Sequence, residues 1–357
     1  MSISYKPNQF QRTIFLVIAL ITAYTQSLHA QDVQYSQFYA APLYLNPAMT
    51  GTTYDGRAAV NYRNQWIGLP VNYQTFLASY DQYLPNKGIS YGAMIKQDIV
   101  STGQFQDLTE TALDFTGAYL LRVNKNLNFN FGLQLGLNQT SLALQRFLFN
   151  DQINSDGVGG PSQENFSTDN IIVPEIALGA LMIGKGYWFG LSAHHVNEPS
   201  KSFLGGKQYY PAKFSVMGGY VIPLEFHKRY FVGNYGNKTI SPVFLFTQQD
   251  KASQLSMGAY LTYSPVMFGM WYRGIPVVKQ NEKNTMNQDA LIFMMGMKYK
   301  QYKIGYSFDW TISDLPQDRA ISHEISITYQ FEFYKNYRKK PKKKAEPLPC
   351  PIPWNLM

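Results

Sequence analysis

Cysteine is almost missing from this chain: the 357 residues include one, Cys350, near the C-terminus. A disulfide framework within the chain is therefore excluded. A lipid anchor is excluded too, because it needs a cysteine directly after the leader, where Gln31 stands. Charge is scarce as well. Asp, Glu, Lys and Arg together make up 15%, against roughly 25% in a soluble domain. Yet mean hydropathy is −0.24, so Asn, Gln, Ser, Thr, Tyr and Gly replace the missing ions. The net charge of +8 is no sign of nucleic-acid binding, since six of the positives sit in one block, Arg338 to Lys344. Long apolar runs are absent after the start of the chain. Any membrane span of the mature protein must then be a closed barrel.

The first 30 residues read as a signal peptide. Lys6 and Arg12 supply the positive region, Ile14 to Ala23 the apolar run, and Ser27-Leu28-His29-Ala30 a cleavage site. A membrane anchor needs about 20 apolar residues, and this run stops at Tyr24-Thr25-Gln26.

What the chain has in abundance is alternation. In "NLNFNFGLQLGLNQ" the residues Leu127, Phe129, Phe131, Leu133, Leu135 and Leu137 share one face, with Asn128, Asn130, Gly132, Gln134, Gly136 and Asn138 on the other. Period 2 over this length is a strand. "KIGYSFDW" (Lys303 to Trp310) and "ISHEISITYQFEF" (Ile321 to Phe333) repeat it. These runs match the roughly 10 residues that a tilted strand needs to cross a bilayer. Fourteen are expected, near 57–69, 73–84, 88–97, 107–122, 126–139, 171–184, 187–196, 212–224, 238–248, 253–263, 267–274, 288–299, 302–312 and 320–333. Connections after even-numbered strands are mostly tight. Those after odd-numbered strands are often long, around 98–106, 140–170, 197–211 and 275–287. Short turns on one side and longer loops on the other are the pattern of outer-membrane barrels. The expectation is an all-β, transmembrane antiparallel barrel of about 14 strands, in contact with outer-membrane lipid, with both termini in the periplasm. Leu133, Leu135, Ile304, Phe308 and Ile327 face lipid. The Gly, Asn, Ser and Gln of the opposite face suit a wet lumen, where an arginine at Asn130 is tolerated.

No catalytic constellation is found, and no cofactor or nucleic acid is expected. In "HHVNE" (His194, His195, Glu198) adjacent histidines on a strand point to opposite faces, so one ion cannot easily use both. "QINSDGVGG" (Gln152 to Gly160) lacks the Asp at the first position and the bidentate Glu of a calcium loop. Gly205-Gly206 follows no strand-to-helix pattern, against a phosphate loop. The tail "YRKKPKKKAEPLPCPIPWNLM" cannot be a barrel strand. It reads either as solvated or as a docking arm. In the second reading Lys339, Lys340, Lys342, Lys343 and Lys344 keep it extended, and Cys350, Ile352 and Trp354 lie at its apolar end.

"QDVQYSQFYAAPLYLNPAMTG" (Gln31 to Gly51) resembles the opening of the PorP/SprF family of type IX secretion and gliding-motility outer-membrane proteins. So do "SAHHVNEPSKSF" (Ser192 to Phe203), "MWYRG" (Met270 to Gly274), "ISHEISITYQF" (Ile321 to Phe331) and Cys350-Pro351. The resemblance implies a non-enzymatic barrel that helps the type IX machinery export or anchor substrates such as adhesins. It implies as partners type IX components on the periplasmic side and a secreted substrate with a C-terminal targeting domain. The chain then divides into a signal peptide (1–30), a lead-in or plug (31–56), the barrel (57–334) and a periplasmic tail (335–357). In the plug Pro42 and Pro47 forbid ladder donors, Asn46-Pro47 makes a turn and Gly51 allows a bend. Leu43, Tyr44, Leu45 and Ala48 complete a segment expected to pack in the periplasmic mouth. Fourteen strands and an early Asn-Pro-Ala also resemble the FadL family, which implies a channel for small hydrophobic molecules. A soluble lectin-like β protein would need far fewer such runs.

Overall fold

The computed structural model describes residues 32–53, 55–84, 87–103, 105–124, 126–147, 152–154, 157–158, 168–203, 208–224, 238–280, 285–313, 320–333, 350 and 353. Fourteen long strands dominate it. They are β1 (Arg57–Gln65), β2 (Val71–Leu84), β3 (Ile89–Thr102), β4 (Phe105–Asn124), β5 (Leu127–Leu142), β6 (Asn170–Gly184) and β7 (Tyr187–His194). Then come β8 (Lys213–Tyr220), β9 (Lys238–Gln249), β10 (Ala252–Tyr263), β11 (Val266–Gln280), β12 (Thr285–Tyr299), β13 (Tyr302–Thr311) and β14 (Ser322–Gln330). Each pairs antiparallel with its neighbour in sequence, and β14 pairs back onto β1 with Arg57 opposite Gln330. That last pairing closes the barrel and leaves no edge. Closure matters in a bilayer because no water is there to satisfy free N–H and C=O groups. Among the described residues no helix is long and apolar enough to cross a membrane.

Every expected strand is present, with shifted ends. The long connection expected around 98–106 is a tight turn: β3 runs to Thr102, β4 starts at Phe105, and Gly103 takes φ +64° to make the reversal. β11 and β12 extend each other to Gln280 and Thr285, across register shifts beside Arg273 and Ile275.

The outer face is what the alternation predicts. Leu133, Leu135, Ile304 and Ile327 are exposed on it, and Phe308 shares the face half-buried. Tyr91, Tyr119, Tyr187, Tyr220, Tyr263, Tyr299 and Tyr302 are exposed at strand ends joined mostly by short turns, as an aromatic girdle at a membrane interface would be. We call that mouth the turn end and the opposite one the loop end.

The inner face is two walls. From β13 through β14 and β1 to β5 it is mostly polar, with Asp309, Glu324, Arg63, Asp81, Asn130 and Gln134 buried, apart from an apolar patch at Leu77 and Met94. From β6 to β12 it carries a buried apolar belt that includes Leu181, Trp188, Met217, Tyr260, Trp271 and Ile292. The wet, uniformly polar lumen expected from the sequence is therefore wrong on one side. "VMFGMWY" and "LIFMMGM" are apolar on both faces, as strands packed from both sides are.

Candidate functional site

The lumen is occupied by the segment that precedes β1. Residues 32–53 form a chain of short turns: a 3-10 turn (Phe38–Ala40), one α-helical turn (Pro42–Leu45) and a second 3-10 turn (Pro47–Met49). Proline at the first position of the second and third turns supplies the fixed φ that starts a helical turn without an unused N–H.

At the loop end Asp32 is held from four directions. His195 Nε2 lies 2.9 Å from its carboxylate, the Tyr210 hydroxyl donates to it at 2.6 Å, Lys213 pairs with it, and its own N–H donates to Gln249 at 3.0 Å. Glu175 flanks His195 on its other ring nitrogen. Burial alone would raise the Asp32 pKa, but Lys213 and His195 hold it well below the usual carboxylate range. His195 lies one residue past β7, at φ +55°. Burial would lower its pKa, but Asp32 and Glu175 push it up to about 9.

Next the segment meets the polar wall. The N–H groups of Ser36 and Gln37 donate to the two oxygens of Glu324 at 2.7 and 3.1 Å. Ser36 Oγ donates to Asp309 at 2.6 Å and accepts from Arg63 and Arg273, both at 2.8 Å. Arg63, Asp309 and Glu324 are 2% exposed or less. Such a buried cluster is tolerable only when its donors and acceptors are met, and here the N-terminal segment supplies part of what they need.

The turn Asn46-Pro47-Ala48 sits deeper. Asn46 Oδ1 accepts from Ala48 N at 2.8 Å, and its Nδ2 donates to the Leu191 carbonyl of β7 at 2.9 Å. Gly132 of β5 and Gly179 of β6 lie opposite each other in register. A Cβ on Gly132 would collide with the Pro47 and Ala48 backbone, and one on Gly179 with the Asn46 side chain and Ala48. Asn130 donates to the Ala48 carbonyl. The expectation of an open site that tolerates an arginine there fails, because Asn130 is buried against the segment. At the turn end Gly51, at φ +68°, donates its N–H to Asp81, which Arg57 grips with two bonds of 2.8 Å. The other wall takes the aromatic side: Phe38 packs edge-on against Trp271, and the Trp188 indole donates to the Tyr39 hydroxyl at 3.2 Å.

Of the candidate residues, Pro42, Leu43, Leu45, Asn46, Pro47 and Ala48 are buried in the lumen, and Tyr44 and Gly51 are half-buried. The segment is not confined to one mouth. Asp32 lies at the loop end, while β1 begins at the turn end. The expectation that His194 and His195 point to opposite faces fails: His194 ends β7 facing inward beside Tyr44, His195 turns inward just past the strand to brace Asp32, and their rings lie 6.4 Å apart. Asp32, Ser36, Gln37, Arg63, Arg273, Asp309 and Glu324 were not singled out from sequence. For Arg63, Arg273, Asp309 and Glu324 the signal was rare charge at inward strand positions. Lys339, Lys340, Lys342, Lys343, Lys344, Ile352 and Trp354 lie outside the described residues. Cys350 does not hang free: it is wholly buried, in the same apolar cluster as Tyr39 and Trp188.

The family model described as type IX secretion system membrane protein PorP/SprF matches residues 27–329. No curated protein matches the chain. Among solved structures, the Ralstonia pickettii toluene transporter TbuX is similar with TM-score 0.47 and 13% identity over 82% of this chain and 94% of that one. The P. putida toluene transporter TodX gives TM-score 0.46 and 11% identity over 80% and 93%. Omp33 of Acinetobacter baumannii gives TM-score 0.44 and 8% identity over 79% and 100%.

Proposed function

The chain belongs to the PorP/SprF family of type IX secretion system membrane proteins, and we propose that it serves that system as an outer-membrane barrel closed by its own N-terminal segment. It supports export or surface anchoring of particular substrates, adhesins with a C-terminal targeting domain among them. It acts as a docking body for type IX components rather than as an open pore. One observation carries this reading: residues 32–53 run the length of the lumen, joined to both walls by buried hydrogen bonds and ring contacts. A general pore would leave that path free.

In this reading the turn end faces the periplasm, since short turns lie there in outer-membrane barrels. The mature N-terminus then sits at the outer mouth. The chain has the role of a membrane barrel, not of an enzyme.

The test is genetic. Loss of this chain is expected to remove a subset of proteins with targeting domains from the cell surface while other type IX substrates still leave the cell. If every substrate, or none, is affected, the reading fails. A second reading, a channel for small hydrophobic molecules, is favoured by the apolar belt on β6 to β12 alone. Uptake of a small aromatic hydrocarbon by liposomes holding the full chain would support it.

A further inference from the structure

The two mouths differ in charge. Among the described residues the turn end carries exposed Lys87, Lys185 and Lys300 and half-buried Lys238. Arg122, Lys298 and Lys303 add positive charge just inside that mouth. The acids there are few. Asp55 and Asp81 are buried inside the barrel, Asp81 in the grip of Arg57, and Glu332 is exposed. The loop end is mixed: Asp169, Glu198 and Asp250 are exposed, and Arg146 is paired by Asp107 at 3.0 Å.

The turn-end lysines also stand among the tyrosines of the outer girdle. Lys238, on the outward side of β9, is opposite Tyr263 in register, with its Nζ 4.8 Å from the ring centre. Lys300 Nζ lies 5.3 Å from the centre of the Tyr299 ring, and Tyr299 pairs with Tyr302 across the turn. Lys185 lies in the turn before β7, two residues from Tyr187, which pairs with Tyr220 of β8. Lys87 precedes β3, whose Ile89 is opposite Tyr119 of β4.

We infer that Lys87, Lys185, Lys238 and Lys300, with the tyrosines beside them, bind the phosphate headgroups of anionic phospholipid in the leaflet at the turn end. An exposed tyrosine on a barrel's outer face lies at the depth of the headgroups, with its hydroxyl toward water. A lysine held over such a ring has its ammonium at the same depth. An ammonium offers three donors and a phenol one, and both suit the oxygens of a phosphate diester. A zwitterionic lipid brings an ammonium of its own, which the lysine repels; a lipid with net negative charge does not. The sites lie on β2–β3, β6–β7, β9 and β12–β13, at separate places around the barrel. A docked protein would cover one side, whereas a ring of lipid meets them all. The inference rests on the barrel lying in a membrane, and not on which substrates it serves.

The test compares lipids retained by the purified full chain in non-ionic detergent with equal amounts of phosphatidylglycerol and phosphatidylcholine, read by native mass spectrometry. The parent for all variants has the lysines at 339, 340, 342, 343 and 344 changed to glutamine, so that the tail adds no charge. Heat-modifiable migration on gels shows that each barrel is folded. A lysine near an anionic surface strengthens association roughly fivefold. The parent is therefore expected to retain phosphatidylglycerol over phosphatidylcholine by about fivefold or more. Combining Lys87→Gln, Lys185→Gln, Lys238→Gln and Lys300→Gln is expected to bring the ratio near one, and the matching arginine changes to keep it. Should the fourfold glutamine variant not fold, Lys185→Gln and Lys300→Gln, both at exposed turns, are each expected to lower the ratio. An unchanged ratio in the glutamine variants overturns the inference. So does a preference seen with the natural tail and absent from the parent, which would assign the lipid to the tail. No preference with either tail overturns it as well, and would leave the basic rim to an acidic protein.

Discussion

The two walls of the lumen hold the same peptide by different chemistry. The polar wall binds it through backbone N–H groups and charges: Ser36 and Gln37 reach Glu324, and Gly51 reaches Asp81. The apolar wall binds its middle through rings, with Phe38 on Trp271 and Tyr39 on Trp188, and adds polar holds at Asp32, Leu45 and Asn46. Hydrogen bonds fix where each residue sits; ring packing supplies burial without fixing register so tightly. A segment without regular secondary structure needs the first kind of contact to have one defined path, and the second to offset the ordering of its chain.

The comparison is broken most strongly from the polar side. Arg63→Ala leaves Glu324 and Asp309 short of a cation, and removing one partner of a buried pair costs roughly 3–5 kcal/mol. Barrel unfolding followed by gel migration in urea is expected to show that loss, and a change below about 1 kcal/mol would mean that the cluster is not buried in solution. On the apolar side Trp271→Ala opens a cavity beneath Phe38, with an expected cost of about 3 kcal/mol or somewhat more. The same urea series measures it, and Trp271→Phe is expected to recover much of the loss.

The outer face gives the control for both. Leu135→Arg, if near the midplane, is expected to cost roughly 2–4 kcal/mol while leaving the inner segment seated. Asn130→Ala removes a bond to the Ala48 carbonyl and is expected to cost about 1–3 kcal/mol. Matched unfolding midpoints and chymotrypsin sensitivity of residues 32–51 separate the two. Leu135→Arg shifts the first alone, and Asn130→Ala shifts both.

The smallest effect is the pH response at the loop end. His195 is raised in the fold from 6.5 to about 9, so its support for Asp32 is complete below pH 6.5 and is lost as pH rises through about 9. Proteolysis near Asp32 is expected to speed up above pH 9 in the native chain. In His195→Gln that rise is absent. An equal rise in both would place the titration on another group.

The outer face was legible because lipid and lumen alternate with the strand period, and Leu133, Leu135 and Ile327 carry that period plainly. The apolar wall was not, because Met267, Trp271, Ile292 and Met294 put apolar side chains on the inward positions and erase the alternation. Gly132 reads in sequence as the lining of a wet channel, and Gly179 carries no sequence signal of its own. Their cause is steric: Pro47 and Ala48 come too close for a Cβ. The Ser36 cluster was hidden for a topological reason. Arg63 lies on β1 and Asp309 on β13, and barrel closure through β14 is what brings them together. The Asn46-Pro47 turn and the bend at Gly51 are features of local chemistry that need no distant partner; in the fold Asn46 caps the third turn and Gly51 takes φ +68°.

The most direct test of the filled lumen is ionic conductance in a planar bilayer, comparing the full chain with a chain lacking Tyr39 to Gly51. No strand is lost in that deletion, so the barrel is expected to insert in both cases. The full chain should stay closed, and the deleted chain should show a steady conductance along the polar wall. Steady conductance by the full chain, or a deleted chain that inserts and remains sealed, would contradict the account.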